Sequence, residues 1–364
     1  MSDDPRTRLL HAFDRQVEWC AAGASPFSAR VLALSRRWLA GEPEALAALA
    51  AVDGDPLAAA VSLRWLGALH HLALLGRGPW AALWPPAPGP VDDEALVQAL
   101  ARAWHGERPH VERALARAPQ TNEVMRSAAL LPGLLHVAAR LQRPLQLAEI
   151  GASAGLNLWC DHFHHAPAGA AWRWGDATAA LTLATAWRGP PPPLQAPLRI
   201  ERRAGCDAAP VDLLQPGETL RLASFVWADQ HERLARLRTA VAAVTPLLGR
   251  AGPVQALRAA DFVRGQLAQR RRGEVFVLMH SVVWQYIAPA EQADIRAQMQ
   301  AAGATATAEA PVAWLRFEPP RPQLQVELRC TTWPGGVDER LAEAHPHGAW
   351  VHWQPMAPVA ASPA

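Results

Sequence analysis

The feature that most constrains the fold is a change of hydrophobic periodicity close to Pro144. Before it, apolar residues recur at the three-and-four spacing that builds one face of an α-helix, for example Leu57, Val61, Trp65, Leu69 and Leu72. After it, short apolar runs typical of β-strands alternate with helical segments. We therefore expect an all-α N-terminal domain over residues 1–143, an α/β domain over 144–355 and a disordered tail over 356–364.

Strands that alternate with helices form right-handed βαβ units, which predicts a mostly parallel sheet in the second domain. The predicted strands begin at Leu145, Pro197, Val254, Val275, Val312, Leu324 and Trp350. No helical pattern separates the last two strands, so we expect them to pair antiparallel at the edge of the sheet. Alternation over Leu181–Trp187 predicts an inserted strand or hairpin, and Leu156–His165 has the pattern of a helix.

The composition excludes several classes of function. The 364 residues include 35 basic and 33 acidic ones, and the net charge of +2 argues against a nucleic-acid partner. Every basic residue is Arg, which excludes Schiff-base chemistry and a phosphate-loop lysine. The four cysteines lie far apart, so neither a zinc knuckle nor a disulfide framework is expected. An acidic start and the lack of a membrane-length apolar run favour a cytoplasmic protein without a membrane partner.

The segment Glu-Ile-Gly-Ala-Ser-Ala-Gly-Leu-Asn at 149–157 is the most informative part of the sequence. Small residues where a strand turns into a helix allow a ligand to contact backbone N–H groups. The segment resembles the nucleotide loop of class I S-adenosylmethionine-dependent methyltransferases, with Glu149 two residues before Gly151, Ser153 at the middle glycine position and Gly155 after it. That resemblance implies a Rossmann-like sheet of the methyltransferase type, S-adenosylmethionine as cofactor and Asn157 as a further binding residue.

Other interpretations of this segment remain open. A dinucleotide loop would need glycine at both Ser153 and Leu156, so that pattern fails twice. The Gly-x-Ser-x-Gly pattern of a hydrolase nucleophile elbow matches with Ser153 as nucleophile. Against it, this is the first strand of the sheet and no oxyanion-hole glycine motif precedes it. The small residues could also serve only to pack the turn closely.

Polar residues at the ends of later strands extend the methyltransferase interpretation. Asp207, or Glu201 as the competing acid, would accept hydrogen bonds from ribose hydroxyls, and Asp261 would reach the adenine unless it only caps a helix. His280, followed by Ser281, would lie at the carboxyl end of a parallel strand, where ligands bind. His280 is the candidate general base because its ordinary pKa is near neutrality, although a structural role is the alternative.

Three further polar groups are candidate substrate contacts, with a helix start, a core position and metal ligation as their respective alternatives. They are Asn122 and Glu123, Trp227 and Gln230, and His345 and His347. The histidine-rich segments lack the spacing of known metal sites, so no metal is expected.

Several of these motifs together resemble a bacterial family known only as domain of unknown function 2332. They are Gln120–Glu123, Glu149–Leu158, Trp174–Asp176, Arg203–Asp212, Val226–Gln230, His280–Val283 and His345–Gly348. The resemblance covers nearly the whole chain and supplies no established activity. One departure is that His162 and Phe163 follow Asp161, where an Arg and an aromatic residue are expected.

From the sequence we expect an S-adenosylmethionine-dependent methyltransferase acting on a small-molecule or protein acceptor. A serine hydrolase using Ser153 and a non-catalytic nucleotide-binding module are the alternatives.

Overall fold

The structure is a computed structural model, and it describes residues 4–85, 89–250, 254–320 and 325–355. The predicted tail over 356–364 lies outside the described residues. The chain divides into two compact units. The first runs up to Thr121 and includes Gln215–Arg238, and the second comprises Asn122–Leu214 and the chain from Thr239 onward.

The described residues before the sheet form α-helices. These are α1 (Pro5–Ala22), α2 (Pro26–Leu39), α3 (Pro43–Ala50), α4 (Val61–Leu74), α5 (Trp80–Leu83), α6 (Asp93–Gly106), α7 (Arg108–Leu115) and α8 (Ser127–Leu141). The carboxylates of Asp4 and Asp92 accept N–H groups of the first turns of α1 and α6, which fixes where these two helices begin. Their apolar faces bury Trp65, Trp80 and Trp104 in the core of the first unit.

Strands and further helices alternate after α8. The helices are α9 (Glu218–Ser224), α10 (His231–Val244), α11 (Ala259–Ala268) and α12 (Pro289–Ala304). The strands are β1 (Leu145–Ile150), β2 (His164–His165), β3 (Thr182–Leu183), β4 (Ala186–Arg188), β5 (Ile200–Asp207), β6 (Gln255–Ala256), β7 (Val275–Ser281), β8 (Val312–Glu318), β9 (Val326–Trp333), β10 (Val337–Ala344) and β11 (Trp350–Trp353).

The mixed α/β class and the large, mostly parallel sheet are confirmed. Nine strands follow the order β4-β11-β10-β9-β8-β7-β1-β5-β6. The five neighbouring strands β8, β7, β1, β5 and β6 are parallel to one another. Beyond β8, each of the strands β9, β10 and β11 runs antiparallel to the one before it. Numbered by their place in the chain, the parallel strands have the order 3-2-1-4-5, which reverses between β1 and β7. Every residue of β1 and β7 is buried, as expected for central parallel strands.

The predicted pairing of the last two strands is wrong, because β10 lies between them. Two features of β10, Val-Asp-Glu-Arg-Leu-Ala-Glu-Ala, interrupt the alternation of apolar and polar residues that predicts a strand. A register shift between Arg340 and Ala342 breaks the period of two. Glu339 is also buried, with Arg140 donating to its carboxylate at 3.1 Å.

The strand or hairpin predicted over Leu181–Trp187 is two short strands that do not pair with each other, since β3 pairs with β2 and β4 pairs with β11. The segment after the first strand is also not an α-helix. It is a 3₁₀ segment, Leu156–His162, with non-helical dihedral angles at Trp159. Two of its backbone carbonyl oxygens contact side chains instead of backbone N–H groups. Arg203 donates to Leu158 O at 2.9 Å, and His165 Nε2 lies 2.8 Å from Cys160 O.

The division into units differs from the boundary expected at residue 143. Helix α8 groups with the sheet and packs on β8 and β9, because its buried face carries Leu131, Leu134 and Leu135. Residues 215–238 group with the first unit, where Asp229 accepts hydrogen bonds from Ser25 Oγ and from Phe27 N at the start of α2.

Asp229→Ala should lower the free energy of unfolding by about 1–3 kcal/mol, because it removes the acceptor for the first turn of α2. Denaturant unfolding followed by circular dichroism measures the change. Asp53→Ala, at an exposed position, is the control and should change the value by less than about 0.5 kcal/mol. Equal effects of the two substitutions would contradict this account of Asp229.

Candidate functional site

The strand order reverses between β1 and β7, and in open α/β sheets this is the place where ligands bind. Ile150 pairs with His280 at the carboxyl ends of the two strands. Just beyond each end lies a non-glycine residue in the left-handed region, Ser153 with φ 54° and Val282 with φ 52°. A β-branched residue with positive φ is a backbone outlier, and such strain concentrates at functional sites. The reversal point is therefore the candidate functional site of the second unit.

Glu149, the last acid of β1, is only 1% exposed. Burial raises the pKa of its carboxyl well above the ordinary value, Arg126 opposes that effect and Asp207 adds to it. Its Oε2 atom has no hydrogen-bond partner among the described residues, and neither has the buried hydroxyl of Ser153 nearby in the loop. A buried polar atom without a partner is costly, so these two atoms are the unsatisfied polar groups of the strand end and its loop.

The segment before α8 contacts this loop. Asn122 Oδ1 accepts the N–H of Leu156 at 3.0 Å. Ser127 Oγ donates to Asn157 Oδ1 at 2.8 Å, and Asn157 Nδ2 lies 3.5 Å from the carbonyl of Glu123. Asn122 and Asn157 thus form a buried polar network beside Glu149, in which their side chains hold the loop.

The carboxylate of Glu123 accepts the N–H of Met125 at 3.2 Å, which gives Glu123 a structural role in this segment. Arg126 is a residue whose role sequence reasoning missed. Its guanidinium donates to Ser281 O at 2.9 Å and to Pro346 O at 3.0 Å, and so joins two motifs far apart in the chain. The available signal was its position three residues after Glu123, the last residue of the Gln120–Glu123 motif.

His345 and His347 lie in the turn before β11, where His347 N donates to His345 Nδ1 at 3.1 Å. Gly348 follows with φ 69°, and a side chain there would overlap the carbonyl of Met125. The turn therefore packs directly on the 122–126 segment. The structure thus brings Asn122–Arg126, the Glu149 loop, Ser281 and the His345–Gly348 turn to one place.

The loop itself differs from the open backbone turn that we expected. The space that a side chain would take at Gly151 is filled by Val283, and at Gly155 it lies 3.0 Å from Val254. Ser153 N donates to Asp207 Oδ2 at 3.0 Å, so this amide already bonds within the protein. Both glycines are explained by close packing, which was the structural alternative.

The two predicted nucleoside contacts have different outcomes. Asp207 lies at the end of β5 beside the loop and also accepts Ala209 N at 2.9 Å. Asp261 lies in the first turn of α11, where its side chain is 55% exposed and pairs with Arg264 at 2.8 Å. Asp261 is therefore a surface residue of that helix and does not join the network around Glu149.

Trp227 and Gln230 belong to the first unit. Gln230 Nε2 donates to Gly23 O at 2.8 Å, and the ring of Trp227 covers Gly23 where α1 ends. These contacts give both residues a structural role within the first unit.

His280 lies on the other face of the sheet from Glu149. Its partner Ile150 belongs to the apolar cluster with Phe262 and Met299 of α11 and α12, and Glu149, one residue away, points to the opposite face. His280 Nδ1 is 2.7 Å from Glu318 Oε1, and the ring stacks on Trp284.

The serine-hydrolase interpretation gains no support from this geometry. A nucleophile needs its base within hydrogen-bond reach. His280 Nε2 and Ser153 Oγ are both buried without a hydrogen-bond partner among the described residues, so they do not bond to each other.

Within residues 4–85, 89–250, 254–320 and 325–355 no three His, Cys, Asp or Glu side chains group as a metal site. Over the same ranges none of the helices has both the length and the apolar character that crossing a membrane requires.

A family model described as an uncharacterized protein conserved in bacteria (DUF2332) matches residues 10–353, and the chain belongs to that family. The family resemblance expected from the motifs is thereby confirmed, while its methyltransferase-like character stays a prediction. Neither the comparison with curated proteins nor that with solved structures gave a match.

Glu149→Gln should change how stability depends on pH. The raised pKa means that the folded protein keeps a proton that the unfolded chain releases above about pH 4.3, so the wild type loses stability as pH rises through that window. Glutamine has no proton to lose. The free energy of unfolding of the variant relative to wild type should therefore rise from about pH 5 to about pH 8 in denaturant titrations. Asp261→Asn, at an exposed acid, is the control, and parallel profiles for Glu149→Gln and wild type would contradict the burial argument.

Gly348→Ala should destabilise the second unit by more than Gly273→Ala. Both glycines have positive φ, so each substitution incurs about 1–2 kcal/mol of backbone strain. Only at position 348 does the added carbon also overlap a backbone carbonyl, whereas nothing lies within 4 Å at position 273. Denaturant unfolding compares the two variants, and equal losses would show that the turn does not pack on Met125.

Proposed function

We propose that the second unit binds S-adenosylmethionine at the carboxyl edge of its sheet and transfers the methyl group to a small-molecule or protein acceptor. The observation that carries this proposal is the strand order. The order 3-2-1-4-5 is that of the Rossmann class, and the antiparallel strand β9 beside the fifth parallel strand is the feature expected of the methyltransferase type.

The chemistry of the reversal point fits the polar ends of this cofactor. The unpartnered Oε2 of Glu149 suits the ammonium group of the methionyl part, and the unpartnered hydroxyl of Ser153 can donate or accept beside it. Asp207 at the end of β5 suits the ribose, because carboxylate oxygens accept more than one hydrogen bond each. Gly151 and Gly155 are left out of the proposed site because close packing explains them, and Asp261 is left out because it is exposed in α11.

When bound, the cofactor supplies an electrophilic methyl group, and the chain supplies position and charge. Glu149 and Asp207 lie at the ends of neighbouring strands β1 and β5, a rigid support that fixes both ends of a ligand between them. A cation beside Glu149 favours its ionised form, which burial otherwise disfavours. Binding should therefore weaken as pH falls, because protonated Glu149 loses its attraction for the cation.

The predicted catalytic base has no step in this proposal. His280 points to the face of the sheet opposite Glu149, so in-line methyl transfer is proposed to rest on alignment of the reactants. Ser281, His345 and His347 lie beside Arg126 on the Glu149 face and are the side chains proposed to face the acceptor.

Isothermal titration calorimetry with S-adenosylhomocysteine tests the proposal on wild type, Glu149→Gln and Glu339→Gln. Glu339 is a matched control because it is a second buried glutamate of the same unit, held by Arg140. We expect binding to wild type and to the Glu339 variant, with affinity lowered at least about tenfold in Glu149→Gln through loss of a charged hydrogen bond.

No binding to folded wild type, or equal binding to all three proteins, would refute the proposed site. Tight binding without methyl transfer to any acceptor would instead favour the non-catalytic nucleotide-binding module. Labelling of wild type by a fluorophosphonate, lost in Ser153→Ala, would favour the hydrolase; we expect no such labelling, because the hydroxyl is buried without a base.

A further inference from the structure

A cavity of about 460 Å³ lies in the first unit, where α7 and α9 both pack on α4. We call it the arginine cavity, since Arg113, Arg117 and Arg221 line it together with His71, His110 and Phe225. Its volume is in the range of cavities that bind small molecules, which usually combine apolar walls with a few polar groups. The unit that holds it has no part in the proposed methyl transfer.

The lining of the arginine cavity carries more positive than negative charge. Arg117 and Arg221 share one carboxylate, that of Glu218, at 3.1 Å and 2.6 Å. Among the described residues, Arg113 forms no ion pair, and no aspartate or glutamate lines the cavity. Arg113 and Arg117 are exposed, so an ion in solvent can reach them. The arrangement therefore suits an anion that enters from outside.

The two histidines of the cavity add no charge near neutral pH. Their ring centroids lie 5.0 Å apart. Burial lowers the pKa of His71 to about 4, and the charges of His110, Arg77 and Arg221 add to this effect while Glu218 opposes it. Burial and the charge of Arg77 also lower the pKa of His110. Further positive charge is thus disfavoured here, which agrees with an anion as the missing partner.

The rest of the lining is apolar or aromatic. Leu75 and the ring of Phe225 line the cavity beside the two neutral histidine rings. Phe225 is held closely against Gly67, where an added Cβ would come within 2.7 Å of the ring. Flat rings favour contact with a flat ligand, so the anionic group is expected to be attached to an aromatic body.

We infer that the arginine cavity binds a carboxylate attached to an aromatic ring. The carboxylate pairs with the guanidinium of Arg113, which can form two parallel hydrogen bonds to it, and the ring packs against Leu75 and Phe225. One guanidinium without an ion pair matches a single negative charge, which favours a carboxylate over a doubly charged phosphate ester.

Ligand-observed NMR titrations at pH 7 with phenylacetate, phenylacetamide and acetate test the inference on wild type. Phenylacetamide keeps the shape without the charge, and acetate keeps the charge without the ring. We expect phenylacetate to bind with a dissociation constant on the order of 1 mM, as suits so small a ligand. Phenylacetamide should bind at least about fivefold more weakly and acetate at least about tenfold more weakly.

Variants locate the binding in the cavity. Arg113→Gln removes the cation without an ion pair, and Leu75→Ala shortens the apolar wall. We expect the affinity for phenylacetate to fall at least about fivefold in the first and at least about twofold in the second. Arg102→Gln is the control and should leave the affinity unchanged, because Arg102 is an exposed arginine of α6 that does not line the cavity. Thermal midpoints establish that each variant is folded.

Several outcomes would overturn the inference. They are no binding of phenylacetate to wild type, equal binding of phenylacetate and phenylacetamide, and undiminished binding to folded Arg113→Gln. In the last case Arg113 would serve only the end of α7, where a cation suits the helix dipole. If Arg113→Gln fails to fold, the order of the three ligands on wild type and the loss in Leu75→Ala decide. Failure of S-adenosylhomocysteine to bind would refute the proposed function alone, because this inference uses no residue of the second unit.

Discussion

The burial of β1 and β7 on both faces is the constraint on which the rest of the second unit depends. Two parallel strands at the centre of a sheet have no solvent-facing side, so each polar residue near their ends needs an internal partner. Glu149 and His280 stand at these ends and point to opposite faces. The reversal point therefore has a buried polar group on each face of the sheet, Glu149 on one and His280 on the other.

The two groups are satisfied to different degrees. Near Glu149, Asn122 accepts the N–H of Leu156 and Ser127 donates to Asn157. The guanidinium of Arg126 donates to the carbonyl of Ser281 at the end of β7. Behind the other face, Glu318 orients His280 and the turn after β7. In both places a carboxyl oxygen is left without a partner among the described residues, at Glu149 and at Glu318. Desolvation makes such unpartnered atoms costly.

Sequence reasoning predicted those features that depend on local pattern and failed where distant segments meet. The glycines of the loop were correctly placed in a turn after the first strand, yet what fills the space beside Gly151 is Val283, more than a hundred residues later. The residues around Asp261 fit both an acid at the end of a strand and an acid at the start of a helix. Only the structure distinguishes these two roles, because it shows Asp261 exposed in the first turn of α11. Strand β10 was not predicted because a register shift and the buried Glu339 interrupt its alternation of apolar and polar residues.

The sequence alone determined the helical periodicity before Pro144, the alternation of strands and helices after it and the family to which the chain belongs, since each is written in neighbouring residues or in a linear motif. Tertiary structure decided the order of the strands, the placing of Glu149 and His280 on opposite faces and the joining of Arg126 to the turn at Gly348. Those features depend on which segments exclude water from one another. No local pattern records that, because hydrogen bonds and packing across the sheet join residues that are far apart in the chain.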